Sequence, residues 1–212
     1  MQIQPDRGAD GMPGAPPPMR FPDRLQLPFA FDGDLLAADL QRLHATPWTE
    51  HFVKQNYHGD WSVIALRAPA GARHPVQMIY SDPGATAFED TPYLADCPAF
   101  RAVLARFACP LQAVRLMRLT PGSIIREHSD NDLCFEQGSV RFHVPITTND
   151  GVVFELNRRR VVLQAGSCWY LRLSDPHQVA NLGPTDRVHM VIDATVNDWV
   201  AETLAAAVAG AP

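Results

Sequence analysis

Between residues 111 and 196 the chain repeatedly alternates short runs of β-branched and aromatic residues with turn dipeptides, and this punctuation restricts the possible folds more than any other feature. Strand-like runs fall at 111–120, 139–147, 152–156, 161–163, 167–173 and 188–196, separated by Pro121-Gly122, Asn149-Asp150-Gly151, Ala165-Gly166 and Gly183-Pro184. The runs have strand lengths, and the clearest carry a period of two. Within 139–147, Val140, Phe142, Val144 and Ile146 share one face, while Arg141, His143 and Pro145 share the other. About eight such strands fit most economically into the two facing sheets of a jelly roll. A mainly β, jelly-roll fold with a few flanking helices is therefore expected.

The first hundred residues mix helix and strand. Residues 25–31 read as a strand, and Asp32 or Asp34 can cap a helix with Leu35, Leu36, Leu40 and Leu43 on one face. Runs 61–67 and 77–80 look strand-like, with a turn at 81–84. Pro98 suits the first turn of a helix striped by Phe100, Val103, Leu104 and Phe107. A last helix begins near Asn197 and carries Trp199, Val200, Leu204 and Val208. Residues 1–22, rich in Pro and Gly, read as a flexible tail, leaving 23–212 as one domain.

Composition excludes several classes. Hydrophobic residues at 46% and charged residues at 19% are ordinary for a globular chain, and a net charge of -5 with no basic run longer than Arg158-Arg159-Arg160 argues against nucleic acid as a partner. No apolar run approaches the roughly 18 residues of a membrane span, and the N-terminus lacks the apolar segment of a secretory signal. Cys97, Cys109, Cys134 and Cys168 form no C-x-x-C pair, so free thiols and a cytoplasmic location are expected.

His128 and Asp130 stand one residue apart, and on an extended chain such residues point the same way. With His177 from a distant strand they would make the two-histidine, one-carboxylate set that leaves coordination positions open on non-heme Fe(II). Taken alone, His128-Ser129-Asp130 reads as a solvated turn, since His-x-Asp often occurs by chance; its neighbours favour the ligand reading. Arg141 and His143 share a strand face, which is either plain surface or a carboxylate-binding pair in a barrel mouth. Arg187 likewise shares its face with His189, Val191 and Asp193. A guanidinium presents a planar fork that matches a carboxylate. Trp48, Tyr57, Trp61 and Trp169 read as core or as pocket wall, and His44 and His51 as ordinary surface or partly buried histidines. Arg115, Arg118 and Arg126 are candidates to meet an anionic substrate, but alternation puts Arg115 and Arg118 on opposite faces.

In order and spacing, Val114-Arg115-Leu116-Met117-Arg118-Leu119-Thr120-Pro121-Gly122, His128-Ser129-Asp130, Arg141-Phe142-His143-Val144-Pro145-Ile146, Trp169-Tyr170, His177 and Arg187-Val188-His189-Met190-Val191-Ile192-Asp193 resemble the aspartyl/asparaginyl β-hydroxylase family. The resemblance runs over about 61–199 and is densest after Val114. It implies a double-stranded β-helix, the cupin-like form of the jelly roll, and an Fe(II)- and 2-oxoglutarate-dependent dioxygenase. It further implies that His128 and His177 bind iron, that Arg187 holds the distal carboxylate of 2-oxoglutarate, that His143 contacts this co-substrate, and that Arg141 meets either it or an acidic group of the substrate. Some family members have glycine at the position of Asp130; the aspartate here restores the usual triad and is assigned as a ligand. The expected reaction is hydroxylation of an unactivated carbon of an amino acid, free or in a peptide, consuming dioxygen and releasing succinate and CO2. The alternatives are a relative acting on an acyl chain, a non-catalytic metal-binding barrel, and another metal with a hydrolytic or isomerising reaction.

Overall fold

The computed structural model describes residues 19–80 and 84–210. Most of the expected tail, 1–18, and Ser81-Asp82-Pro83 of the expected turn lie outside the described residues. The strands are β1 (Arg24–Ala30), β2 (Thr49–Glu50), β3 (Tyr57–His58), β4 (Trp61–Pro69), β5 (Phe88–Asp90), β6 (Leu111–Leu119), β7 (Ile124–His128), β8 (Ser139–Thr147), β9 (Val152–Leu156), β10 (Arg159–Val161), β11 (Ser167–Leu171), β12 (His177–Asn181) and β13 (Arg187–Thr195). The helices are α1 (Gly33–Arg42), α2 (Pro75–Ile79), α3 (Pro92–Ala95), α4 (Pro98–Leu104) and α5 (Asp198–Ala209).

The strands form the two sheets expected of a jelly roll. The larger runs β1-β11-β8-β13-β6-β4-β2, with β5 added beside β4; the smaller runs β10-β9-β12-β7-β3. Alternation divides the residues of the larger sheet between two cores. One face carries Ile64, Leu66, Val114, Leu116, Phe142, Val144, Met190 and Ile192, packed with Leu36, Phe100, Val103, Val200 and Leu204 from α1, α4 and α5. Each large apolar side chain buried there contributes about 1.5–3 kcal/mol relative to exposure. The other face carries Trp61, Val63, Met117, Leu119 and Val191, which pack with Ile125, Phe154, Leu156 and Val179 of the smaller sheet. Arg115, Arg141, His143, Arg187, His189 and Asp193 lie on this second face, between the sheets.

Local chemistry accounts for most boundaries. Asp32 accepts from the backbone N–H groups of Asp34 and Leu35 at the start of α1, and Asn197 accepts from Val200 at the start of α5. Asn157 and Arg158, at φ 52° and 58°, make the tight β9–β10 hairpin. Gly166 has φ +75°, and a Cβ there would lie 2.2 Å from the Phe31 carbonyl oxygen; this close approach holds the start of α1 against the β11 turn.

Three expectations are corrected. Residues 77–80 are not a strand: Pro75 starts α2, capped by His74, whose Nδ1 accepts from the Val76 N–H at 3.3 Å. Leu35 is 58% exposed, and the buried stripe of α1 instead includes Asp39, which accepts from the Phe100 N–H at 3.0 Å and so caps α4. The run expected at 161–163 is β10 at Arg159–Val161, because the hairpin turn comes earlier. All four cysteines are free, and no helix among the described residues is long and apolar enough to cross a membrane.

Candidate active site

The histidines expected to act together stand directly opposite one another. β7 and β12 pair in the smaller sheet with His128 and His177 in register, so both rings project from one face, their centroids 4.3 Å apart. Each Nδ1 lies against a carbonyl two residues earlier: His128 against Arg126 at 2.7 Å, His177 against Asp175 at 3.0 Å. A carbonyl only accepts, so each Nδ1 carries a proton and each Nε2 is the atom left for a metal. Burial holds the His177 ring neutral by drawing its pKa down to about 4. Asp130 follows the end of β7, anchored by its backbone N–H to the Leu173 carbonyl at 2.8 Å. Its Oδ1 lies 3.7 Å from His128 Nε2, and ligand atoms of His128, Asp130 and His177 all fall within 4.8 Å of one another. Two imidazoles and one carboxylate suit a divalent transition metal.

The second oxygen of Asp130 leads into a buried network. Arg141 Nη1 donates to Asp130 Oδ2 at 2.6 Å, while its Nε and Nη2 donate to Asp193 Oδ1 and Oδ2 at 2.6 and 2.9 Å. Arg115 Nη1 donates to Asp193 Oδ2 at 2.9 Å. Burial opposes the charge on Arg141, but Asp193 and Asp130 outweigh it and raise its pKa. Burial likewise opposes charge on Asp193, yet Arg141 and Arg115 hold its carboxyl below the ordinary range.

Arg187 is different. It is 3% exposed, its side-chain hydrogen bond among the described residues runs from Nη2 to His189 Nδ1 at 2.7 Å, and its Nε is buried without a partner. No described carboxylate pairs with it, and burial alone pulls its pKa down to about 9, still protonated at neutral pH. His143, on neighbouring β8, brings its Nδ1 to 3.4 Å from His189 Nδ1, and Nε2 of both rings is buried without a partner. Burial first, then the Arg187 charge, keeps both rings neutral. Buried polar groups are normally satisfied and buried charges paired. A cavity of about 530 Å³ is lined by His128, Asp130, His177, Arg141, His143 and Arg187 together, a size that suits a small ligand. The donors fit a divalent metal, and the orphaned guanidinium with His143 fits a carboxylate beside it.

The outer wall is aromatic. His51 stacks on Trp61 with centroids 3.5 Å apart and planes 7° from parallel, and Phe52 lies 4.7 Å beyond it. Sequence reasoning treats His51 as ordinary, yet it lines the cavity, with burial drawing its pKa down to about 4. No local pattern marks it, because the stack is tertiary. Trp61 serves both core and cavity wall, whereas Tyr57 packs in the inter-sheet core beside it. Trp48 lies under Arg118 at 4.6 Å, and Trp169 donates to Ser167 Oγ at 2.9 Å; neither lines the cavity. Arg118 turns to Ser62, as alternation requires, and Arg126 bonds the Gln55 carbonyl at the surface. Arg115 alone of these three arginines reaches the cavity.

A family model described as aspartyl/asparaginyl β-hydroxylase matches residues 33–196. Among curated proteins, the L-proline cis-4-hydroxylase of Rhizobium meliloti (strain 1021) is 26% identical over 165 residues, 77% of this chain and 57% of that protein. The chain thus spans little more than half the length of that relative. Among solved structures, a 2OG-Fe(II) oxygenase-family oxidoreductase from Burkholderia pseudomallei superposes with a TM-score of 0.50 at 17% identity, over 81% of this chain and 85% of that one. The non-heme α-ketoglutarate-dependent epimerase SnoN of nogalamycin biosynthesis gives 0.50 at 13% identity, over 81% and 76%. At such identities the two structures show a shared fold.

Proposed function

The chain belongs to the aspartyl/asparaginyl β-hydroxylase family, and from that premise we propose that it is an Fe(II)- and 2-oxoglutarate-dependent dioxygenase that hydroxylates an unactivated carbon of an amino acid, free or in a peptide. The observation that carries the reading is Arg187, a buried guanidinium without a carboxylate partner in the same cavity as a two-histidine, one-carboxylate cluster. The relative named as a proline hydroxylase supports an amino acid as the substrate class.

In this reading His128, Asp130 and His177 hold Fe(II), Arg187 receives the distal carboxylate of 2-oxoglutarate, and His143 lies beside that co-substrate. When bound, iron and 2-oxoglutarate supply the oxidising chemistry, in which dioxygen and 2-oxoglutarate are consumed, succinate and CO2 are released, and one substrate C–H becomes C–OH. The residues of the chain do the rest. The Arg126 and Asp175 carbonyls fix the tautomers that turn each Nε2 inward. Burial keeps the His177 ring neutral, so no proton has to leave it before a cation is received, and it keeps His143 neutral beside the Arg187 charge. Burial also strengthens each hydrogen bond from Arg187 to an anion. Trp61, His51 and Phe52 give the substrate an apolar wall and exclude water. The free thiols fit a cytoplasmic location, and the partners are the small-molecule or peptide substrate and dioxygen.

The test is succinate formation by anaerobically iron-loaded protein given 2-oxoglutarate and oxygen with a panel of free amino acids and short Asp/Asn peptides, beside His128→Ala. Substrate-stimulated succinate that disappears in the variant is the expected result. Failure to bind either Fe(II) or 2-oxoglutarate would overturn the reading and leave a non-catalytic barrel.

A further inference from the structure

The family resemblance implies that Arg141 contacts 2-oxoglutarate or an acidic group of the substrate. In the structure its three nitrogens are already engaged: Nε and Nη2 grip Asp193 as a fork, and Nη1 reaches Asp130. Asp193 sits opposite Arg141 in the β13–β8 register, and Arg115 from β6 donates to the same carboxylate. Three neighbouring strands of the larger sheet thus hold the guanidinium in place from behind.

Asp130 needs such support. It lies beyond the end of β7, two residues before Asp132, whose φ is 63°, and its side chain is 27% exposed. The backbone bond to Leu173 fixes its main chain but not its carboxylate. Asp193, shared with Arg115, gives Arg141 its fork, and the further bond crosses from the larger sheet to a loop of the smaller one. That bond has a geometric result: with Oδ2 occupied by Arg141, Oδ1 is the oxygen left toward His128 Nε2.

We propose that Asp193 is a positioning residue which, through Arg141, holds the Asp130 carboxylate in its metal-binding orientation, and that Arg141 serves the metal ligand rather than 2-oxoglutarate. The inference rests on the metal reading above. It involves no bond-making step, only the orientation of a ligand by charge-assisted hydrogen bonds.

The test uses Co(II) as a spectroscopic probe on the full chain, titrated by its visible absorbance, with 2-oxoglutarate affinity of the Co(II)-loaded protein measured by calorimetry. Asp193→Asn and Arg141→Lys should each weaken Co(II) binding by about 10- to 100-fold. Affinity of the loaded protein for 2-oxoglutarate should stay within about threefold, since neither residue touches that anion in the proposal. In an Asp130→Ala background the same substitutions should change Co(II) affinity by no more than about twofold, because the carboxylate they orient is gone. Arg141→Lys keeps the buried charge while losing the fork, and it carries the test if Asp193→Asn does not fold. Unchanged Co(II) affinity with weakened 2-oxoglutarate binding would overturn the proposal and return Arg141 to the co-substrate. Equal losses with and without Asp130 would also overturn it, showing a general structural effect. If the unaltered protein binds no Co(II), or His177→Ala binds it unchanged, the metal reading itself has failed.

Discussion

Replacing Arg187 with methionine should make the ligand-free protein more stable while ending its affinity for 2-oxoglutarate. Methionine follows much of the arginine stem without the charge, so the substitution removes a buried guanidinium that no described carboxylate neutralises. Depression of the Arg187 pKa from its usual value to about 9 corresponds to roughly 4–5 kcal/mol against the charged form. Exchange of buried ion pairs for packed apolar side chains has been neutral or stabilising by about 1–4 kcal/mol in other proteins. The lost bond to His189 Nδ1 takes back about 1 kcal/mol. A net gain of up to about 3 kcal/mol remains, and each kcal/mol is worth about 2–4 °C in Tm for a chain of this size. Scanning calorimetry on metal-free protein reads it directly. On Co(II)-loaded protein, loss of two charge-assisted bonds worth roughly 1.5–3 kcal/mol each should weaken 2-oxoglutarate at least about 100-fold. A variant that is less stable without ligand, yet binds 2-oxoglutarate like the unaltered protein, would refute the idea that Arg187 waits for an anion.

Acid should destabilise the metal-free protein well above the carboxylate range. His177 and His51 stay neutral in the fold down to about 4, whereas the unfolded chain protonates its histidines near 6.5. Unfolding therefore takes up protons between these values, and the urea midpoint should drop as pH falls from about 6.5 towards 4; a flat or rising midpoint would contradict it. Gly166→Ala should cost about 2 kcal/mol or more, because the added Cβ meets the Phe31 carbonyl at a backbone angle that alanine resists; an unchanged denaturation midpoint would mean the turn relaxes freely. Asn197→Ala should cost about 1 kcal/mol through the lost cap on the Val200 N–H, measured the same way.

The strands that alternate are legible in the sequence. β8 and β13 show the period of two without interruption, so the shared faces of Arg141 with His143 and of Arg187 with His189 and Asp193 follow from residue order alone. The strands that bear the two histidines of the proposed metal site do not. β7 reads Ile-Ile-Arg-Glu-His and β12 His-Gln-Val-Ala-Asn, short and largely polar, and they are strands because they pair with each other inside the smaller sheet. Spacing suggests that His128 and Asp130 converge; the partners of Arg141 emerge only in three dimensions, since Asp130 and Asp193 reach it from different sheets. α2 escapes the period-based reading although His74-Pro75 is a usable start signal, because a four-residue apolar run has no distinct period.

The division of the site between the sheets has a mechanical consequence. His128 and His177 belong to one leaf of the sandwich, and Arg187, His143 and Arg141 to the other. Under the proposed assignment, a molecule gripped by the metal at one end and by Arg187 at the other is a cross-brace between the two leaves. Breathing of the sandwich and departure of the co-substrate then become a single motion, and amide exchange should slow in both leaves together when the brace is in place.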